Sequence, residues 1–137
     1  MALRYLLDTN ICIYIRRRRP REVLTQFLQL RTGEAALSVV TYGELVYGMV
    51  KLHAPPSRQS VEQLDEFVSL IGVMPLPVDA GRKYGEIRSF LETKGEIIGG
   101  NDLWIAAHAL SADLILVTNN EREFRRVPDL KIENWTK

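Results

Sequence analysis

The chain has 137 residues, a formal net charge of +1 and a single cysteine, Cys12. This length suits one domain with a substantial core, and one cysteine excludes both a disulfide framework and a thiolate metal cluster. No apolar run approaches the roughly 20 residues of a membrane span, and the amino terminus does not resemble a secretory signal. We therefore expect no membrane association and a reducing, cytoplasmic environment.

The first predicted element is a short buried strand that runs directly into a helix. Leu3 to Leu7 is apolar apart from Arg4 and Tyr5, and helical spacing of the apolar residues begins at Ile11. The change of period places Asp8 at the junction. In an open α/β sheet, such a junction borders the crevice where ligands bind.

Helices and strands alternate along the rest of the chain. Apolar periodicity predicts strands over residues 35–40, 73–78, 113–118 and 130–132, and helices over residues 22–30, 41–52, 58–71, 79–94 and 102–110. Pro75 and Pro77 suit an edge strand, because proline cannot donate to a sheet ladder. The pattern has no repeat or boundary, so it predicts a single α/β domain over residues 1–137, with a central parallel sheet and helices on both faces.

Oxygen-bearing side chains recur where these predicted elements meet. Asp8 follows the first strand, Glu44 lies in the first turn of the helix after the second strand, and Asp102 opens a helix after Gly99-Gly100. Asn119 and Asn120 follow the strand over residues 113–118, with Glu123 three residues further on. Parallel topology would bring these ends to one sheet edge, where clustered carboxylates repel each other unless a cation is present. Magnesium or manganese suits such oxygen ligands, and a bound ion can assist attack on a phosphate.

Each of these residues also has a purely structural explanation. Asp8 can cap the following helix, and Glu44 stands three residues after Thr41, the spacing of a capping box. Asp102 can favour the positive end of its helix, with Asn101 as the cap, and Asn119-Asn120 can form a turn. His108 is expected to be a packed or surface histidine rather than a base. The placement of several such residues at equivalent junctions is stronger evidence for a functional site than any one residue taken alone.

Arginines give the amino-terminal part of the chain a strong local charge. Residues 1–31 contain seven arginines against two acids, a local excess of five positive charges, densest in the run from Arg16 to Arg21. These side chains can be a solvated helix end near the negative pole of the dipole. They can equally form a surface that contacts phosphates, since the planar guanidinium meets phosphate oxygens in pairs.

Two other phosphate-processing folds are excluded because the sequence lacks the motifs that they require. A phosphatase of the haloacid dehalogenase type needs a second aspartate two residues after the first, where this chain has Asn10. A P-loop enzyme needs a glycine-rich loop ending in Lys-Ser or Lys-Thr, and the sequence contains none.

Four segments together resemble the PIN-domain ribonucleases, and within them the VapC toxins of bacterial VapBC toxin–antitoxin pairs. They are collinear over nearly the whole chain and are specific as a set. The segments are Tyr5-Leu6-Leu7-Asp8-Thr9-Asn10-Ile11, Val40-Thr41-Tyr42-Gly43-Glu44-Leu45, residues 100–109 (GNDLWIAAHA) and residues 116–124 (LVTNNEREF).

The resemblance implies an endoribonuclease that depends on Mg²⁺, for which Mn²⁺ can substitute, and that is inhibited by a VapB-like antitoxin. Asp8, Glu44 and Asp102 match the family's three most regular acidic positions, so Asp8 and Asp102 are expected to bind the metal and Glu44 to bind it or orient water. Many members have an aspartate after the last core strand, and the matching region here has Asn120, with Glu123 nearby, as the residue expected to steady the ion or the RNA. Because asparagine brings no charge, this departure argues against a second metal site. The resemblance also implies a structured RNA substrate such as the anticodon loop of initiator tRNA, and a homodimer.

Two alternatives remain open from the sequence. The domain could bind RNA without cleaving it, an interpretation that the missing fourth aspartate supports and the three retained acids oppose. It could also be a DNA-directed or flap-cutting nuclease, although such relatives usually carry longer insertions and more acids.

Overall fold

The computed structural model describes residues 2–137. In this part of the chain, twelve elements alternate as β1 (Tyr5–Leu7), α1 (Thr9–Arg17), α2 (Arg21–Leu28), β2 (Ala35–Ser38), α3 (Val39–Leu52), α4 (Arg58–Ile71), β3 (Val73–Met74), α5 (Asp79–Lys94), α6 (Gly100–Ser111), β4 (Ile115–Val117), α7 (Glu121–Phe124) and β5 (Ile132–Glu133). Among these helices, none combines the length and the apolar character that crossing a bilayer requires.

The five strands form one parallel sheet in the order β3-β2-β1-β4-β5. β1 lies at the centre, where Tyr5 pairs with Ala35 of β2 and with Ile115 of β4. Because all the strands run the same way, their carboxyl ends meet at one sheet edge. The predicted parallel sheet is confirmed, and so is the edge position of β3.

Helices cover both faces of the sheet, as the sequence predicts. On one face, Leu7 packs with residues of α1, α3 and α4, such as Ile11, Leu45 and Leu64. On the other face, Leu6 packs with α5, α6 and α7 in a second buried cluster. Alternation along β1 sends successive leucines into opposite cores, which explains why this strand is buried on both sides.

Several predicted boundaries needed correction. α4 and α5 have the predicted limits, but β2 ends at Ser38 and α3 begins at Val39, earlier than the expected start at Thr41. The reason is that the Ser38 hydroxyl accepts a hydrogen bond from the Val40 amide and so caps the helix. β3 is limited to two residues ahead of Pro75. The short helix α7 was not predicted.

Candidate functional site

The predicted site residues lie around the carboxyl-terminal edge of the sheet. Asp8 follows β1, Glu44 lies in the second turn of α3, Asp102 lies in the first turn of α6, and Asn120 follows β4. β1 and β4 deliver Asp8 and Asn120 directly to this edge, while α3 and α6 carry Glu44 and Asp102 to it. The parallel topology therefore brings together residues that are more than 90 positions apart in the chain.

Asp8 is buried and fixed at both carboxylate oxygens. Its Oδ1 accepts a hydrogen bond of 2.7 Å from the Thr9 amide, and its Oδ2 accepts one of 2.8 Å from the Thr118 hydroxyl. Burial raises the pKa of Asp8, and the nearby charge of Glu44 adds to the increase, although the two hydrogen bonds oppose it. Asp8 does cap α1, as the structural explanation predicts, but the same contacts orient its carboxylate toward other acids.

Glu44 is held by a hydroxyl from the first helix. Its Oε1 accepts a hydrogen bond of 2.6 Å from Thr9 Oγ1. The alternative that Glu44 closes a capping box with Thr41 is wrong, because Thr41 lies inside α3 and Ser38 is the cap. Thr9 thus contributes its amide to Asp8 and its hydroxyl to Glu44, and it fixes the two acids relative to each other.

The surroundings of Asp102 disfavour the charged form of its carboxyl group. Partial burial, together with the charges of Asp8, Glu123 and Glu44, raises the pKa of Asp102 to about 6. Gly99, not the expected Asn101, occupies the cap position of α6. Asp102 and the three acids whose charges act on it form a group of four carboxylates, Asp8, Glu44, Asp102 and Glu123, which we call the acid cluster.

Asn120 contacts the acid cluster through Glu123. Its side-chain amide donates a hydrogen bond of 3.0 Å to Glu123 Oε2, and its backbone amide donates one of 3.0 Å to Thr118 Oγ1. The carboxylate that follows β4 near the site is therefore that of Glu123, which lies on α7 and accepts a hydrogen bond from Asn120. A direct role of Asn120 in the chemistry stays a prediction.

Further polar residues border the site, and of these Asn119 was singled out from the sequence, whereas Thr9 and Thr118 were not. Asn119 donates to the Tyr14 hydroxyl at 3.1 Å and accepts a long, 3.5 Å contact from the Asn10 amide. Thr9 and Thr118 orient two carboxylates, as described above. The one available signal was position, since Thr9 directly follows Asp8 and Thr118 directly follows β4.

The donor set of the acid cluster suits a hard divalent cation. All four groups are carboxylates, and none of the ion pairs formed within residues 2–137 involves them. Over that same range, no three Asp, Glu, His or Cys side chains stand close enough to hold one ion together. Mg²⁺ usually binds through one or two carboxylates and completes its shell with waters, so the arrangement fits that ion. Binding by Asp8, Glu44 and Asp102 stays a prediction.

Residues 5–130 of the chain match the PIN domain family. The chain is 42% identical over 133 residues to Ribonuclease VapC2 of Haemophilus influenzae, covering 97% of this chain and 98% of that protein. It is 41% identical over 134 residues to the tRNA(fMet)-specific endonuclease VapC of Shigella flexneri, covering 98% and 99%.

Solved structures give the same result. The fold matches a chain of VapBC-1 from nontypeable Haemophilus influenzae with a TM-score of 0.87 and 35% identity over the full length of both chains. It also matches a chain of DNA-bound VapBC from Salmonella typhimurium with a TM-score of 0.87 and 38% identity, covering 97% of this chain and 98% of that one.

Proposed function

This chain belongs to the PIN domain family, among the VapC ribonucleases, and from that premise we propose that it is a Mg²⁺-dependent endoribonuclease toxin inhibited by a VapB-like antitoxin. The observation that carries the proposal is the acid cluster at the edge of a parallel sheet, where burial and the charges of the three other carboxylates raise the pKa of Asp102. The Shigella relative is named for cleavage of initiator tRNA. We extend that substrate class to this chain, with the anticodon loop as the target, since unpaired loops expose the RNA backbone.

Asp8 and Asp102 are the residues that would hold the ion, with Glu44 and Glu123 beside them. When bound, Mg²⁺ neutralises charge on a phosphate and makes water a stronger nucleophile. The unfavourable environment of Asp8 and Asp102 supports this assignment, because a divalent cation would offset both the cost of burying their charge and the repulsion from neighbouring carboxylates, which together raise the pKa of each. Mn²⁺ has similar ligand preferences and should substitute.

The chain's own residues provide orientation. Thr118 and the Thr9 amide fix both oxygens of Asp8, so this side chain cannot rotate away from the sheet edge. Thr9 Oγ1 fixes one oxygen of Glu44, leaving the other free to accept a hydrogen bond from a water that attacks phosphorus. Preorganised acceptors of this kind lower the barrier because they do not have to reorient during the reaction.

A cleavage assay tests the proposal directly. Purified protein is incubated with total tRNA in Mg²⁺, in Mn²⁺ and in EDTA, and the RNA ends are sequenced. We expect cleavage with either ion, none in EDTA, and none with Asp8→Asn. Asp113→Asn is the matched control, since it removes an exposed carboxylate from outside the acid cluster and should cleave like the wild type.

Three outcomes would contradict the proposal. Cleavage that persists in EDTA would remove the metal from the mechanism. RNA binding with no product under any condition would favour the non-catalytic alternative. Faster cleavage of a DNA oligonucleotide than of RNA with the same sequence would favour a DNA-directed nuclease.

The proposed partners have separate tests. A small open reading frame directly upstream would encode the antitoxin, and its product should co-purify with this chain and abolish cleavage. Homodimerisation of the free protein is tested by light scattering after size-exclusion chromatography, and a mass of one chain, 15.7 kDa, would contradict it.

A further inference from the structure

A groove of about 790 Å³ opens between α1, α3 and α4, beside the acid cluster. Glu44 belongs to both, since it lines one part of the groove and contacts Thr9 at the site. Arg16, Arg17 and Arg18, at the end of α1, line another part. The groove therefore connects a set of cationic side chains to a carboxylate of the proposed catalytic site.

The three arginines, which we call the arginine segment, are exposed and available for a ligand. None of the ion pairs found in residues 2–137 includes them. Arg16 lies 5.7 Å from the centre of the Phe67 ring, which restrains its guanidinium at the wall of the groove. Glu66 also lines the groove, yet it makes no ion pair with these arginines.

The helix dipole explains only part of this segment. Arg16 and Arg17 lie in the last turn of α1, where cations favour the negative pole. Arg18 follows the helix in a left-handed conformation, with φ 59° and ψ 29°, a position that favours glycine. Glycine would fit this backbone conformation with less strain, and the Arg18 side chain is exposed beside the groove rather than used to end the helix.

We propose that Arg16, Arg17 and Arg18 bind phosphates of the RNA strand next to the scissile bond, so that the groove guides the strand to the acid cluster. The inference rests on the proposed function and deepens it by assigning the surface that binds substrate. A nucleic acid held at Glu44 must continue across neighbouring surface, and the groove offers unpaired guanidinium groups there. These groups also offset the repulsion between the acid cluster and an incoming phosphate.

The salt dependence of RNA binding tests this assignment. Binding of a fluorescent anticodon stem-loop of initiator tRNA is measured in EDTA, without cleavage, between 50 and 200 mM KCl. Each lost phosphate contact should reduce the slope of log K against log salt by about 0.7 for single-stranded RNA. We therefore expect Arg17→Gln with Arg18→Gln to reduce the slope by about 1.4, whereas Arg82→Gln on α5, an exposed arginine of the opposite face, should leave it unchanged.

Arg18→Gly separates binding from folding. Glycine should raise the Tm, because it fits the left-handed position, yet it should weaken RNA binding. A higher Tm with unchanged binding and slope would overturn the inference, and so would a double variant that loses affinity only for the co-purified antitoxin. If the wild type fails to cleave RNA but the arginine variants still reduce the slope, the proposed function fails while this surface assignment stands. If the wild type cleaves RNA but the arginine variants leave the slope unchanged, the proposed function stands and this surface assignment fails.

Discussion

Asp102 couples the chemistry of the site to the stability of the fold. Its pKa is raised to about 6, above the ordinary value of 3.8, so the folded protein binds this proton more tightly than the unfolded chain does. Stability of the metal-free protein should therefore decrease as pH rises through the window from about 4 to 6. The ionised acid cluster therefore lowers the free energy of unfolding most at neutral pH, where the proposed metal would bind.

Asp102→Asn should stabilise the metal-free protein at pH 7. The substitution removes the charge that burial and three neighbouring acids disfavour, and we expect a gain of roughly 1–2 kcal/mol in the free energy of unfolding, less than the full pKa shift would give because Asp102 is partly exposed to solvent. Urea unfolding in EDTA at pH 5 and pH 7.5 measures it. The gain should shrink at pH 5, where the wild-type carboxyl is largely protonated, and a larger gain at pH 5 would contradict the assigned cause.

Thr118→Val should reduce both stability and RNA cleavage, although the substitution hardly changes the volume of the side chain. Valine keeps the shape but removes the hydroxyl that donates to Asp8 and accepts from the Asn120 amide, so the buried Asp8 carboxylate and the half-buried Asn120 amide each lose a partner. We expect a loss of about 2–3 kcal/mol in stability and a decrease of about 10–100-fold in RNA cleavage, typical of residues that orient metal ligands.

Thr118→Ser is the matched control for this change. Serine retains the hydroxyl and should keep most of the activity, with a small loss of stability from the missing methyl group. Equal cleavage by the valine and serine variants would mean that the orientation of Asp8 does not depend on Thr118.

At the level of helices and strands, the sequence predicted what depends on periodicity. α4 and α5 have the predicted limits, since a long apolar stripe with clear breaks at Ser57, Gly72 and Gly95 defines them. The start of α3 was misplaced because Ser38 and Thr41 are both competent caps, and Ser38, which also contacts His108, is the one whose hydroxyl accepts from the helix. α7 is a single turn, too short for a periodic signal.

In the candidate site, too, the residues that a local pattern marks could be predicted, and those that depend on tertiary contacts could not. Asp8, Glu44 and Asp102 could be identified because each stands at the junction of two predicted elements. Thr9 and Thr118 could not, because their role arises from hydrogen bonds between residues as far as 110 positions apart in the chain. Glu123 was considered only as a neighbour of Asn120, and its influence on Asp102 depends on where α7 packs.

Ser38→Ala should destabilise the protein more than Ser57→Ala. Both serines cap helices of 14 residues, but Ser38 is buried and its hydroxyl is also 2.9 Å from Nδ1 of the buried His108. Alanine at position 38 therefore removes the cap of α3 and leaves the imidazole without that partner, so we expect a loss of about 2 kcal/mol against about 1 kcal/mol or less at position 57. Equal losses in urea unfolding would show that the contact with His108 contributes nothing.

Over the whole molecule, the fold places opposite charges at neighbouring sites. The acid cluster lies at the carboxyl edge of the sheet, while the arginine segment ends α1, which begins at that same edge. Hydrophobic cores on both faces of β1 fix the sheet to which these groups are attached. The packing therefore provides the energy that keeps four carboxylates together in the absence of a cation.

Metal binding should consequently stabilise the folded protein as a whole. The unfolded chain has no assembled acid cluster, so Mg²⁺ at about 100 times its Kd should add about 2.7 kcal/mol to the free energy of unfolding. Thermal melts over a series of MgCl₂ concentrations, at constant ionic strength set with KCl, measure the effect as a rising Tm. Asp8→Asn should abolish most of the increase, whereas Asp113→Asn should retain it. An equal increase in the wild type and in Asp8→Asn would mean that Mg²⁺ acts elsewhere on the protein, and no increase in the wild type would contradict a metal site at the acid cluster.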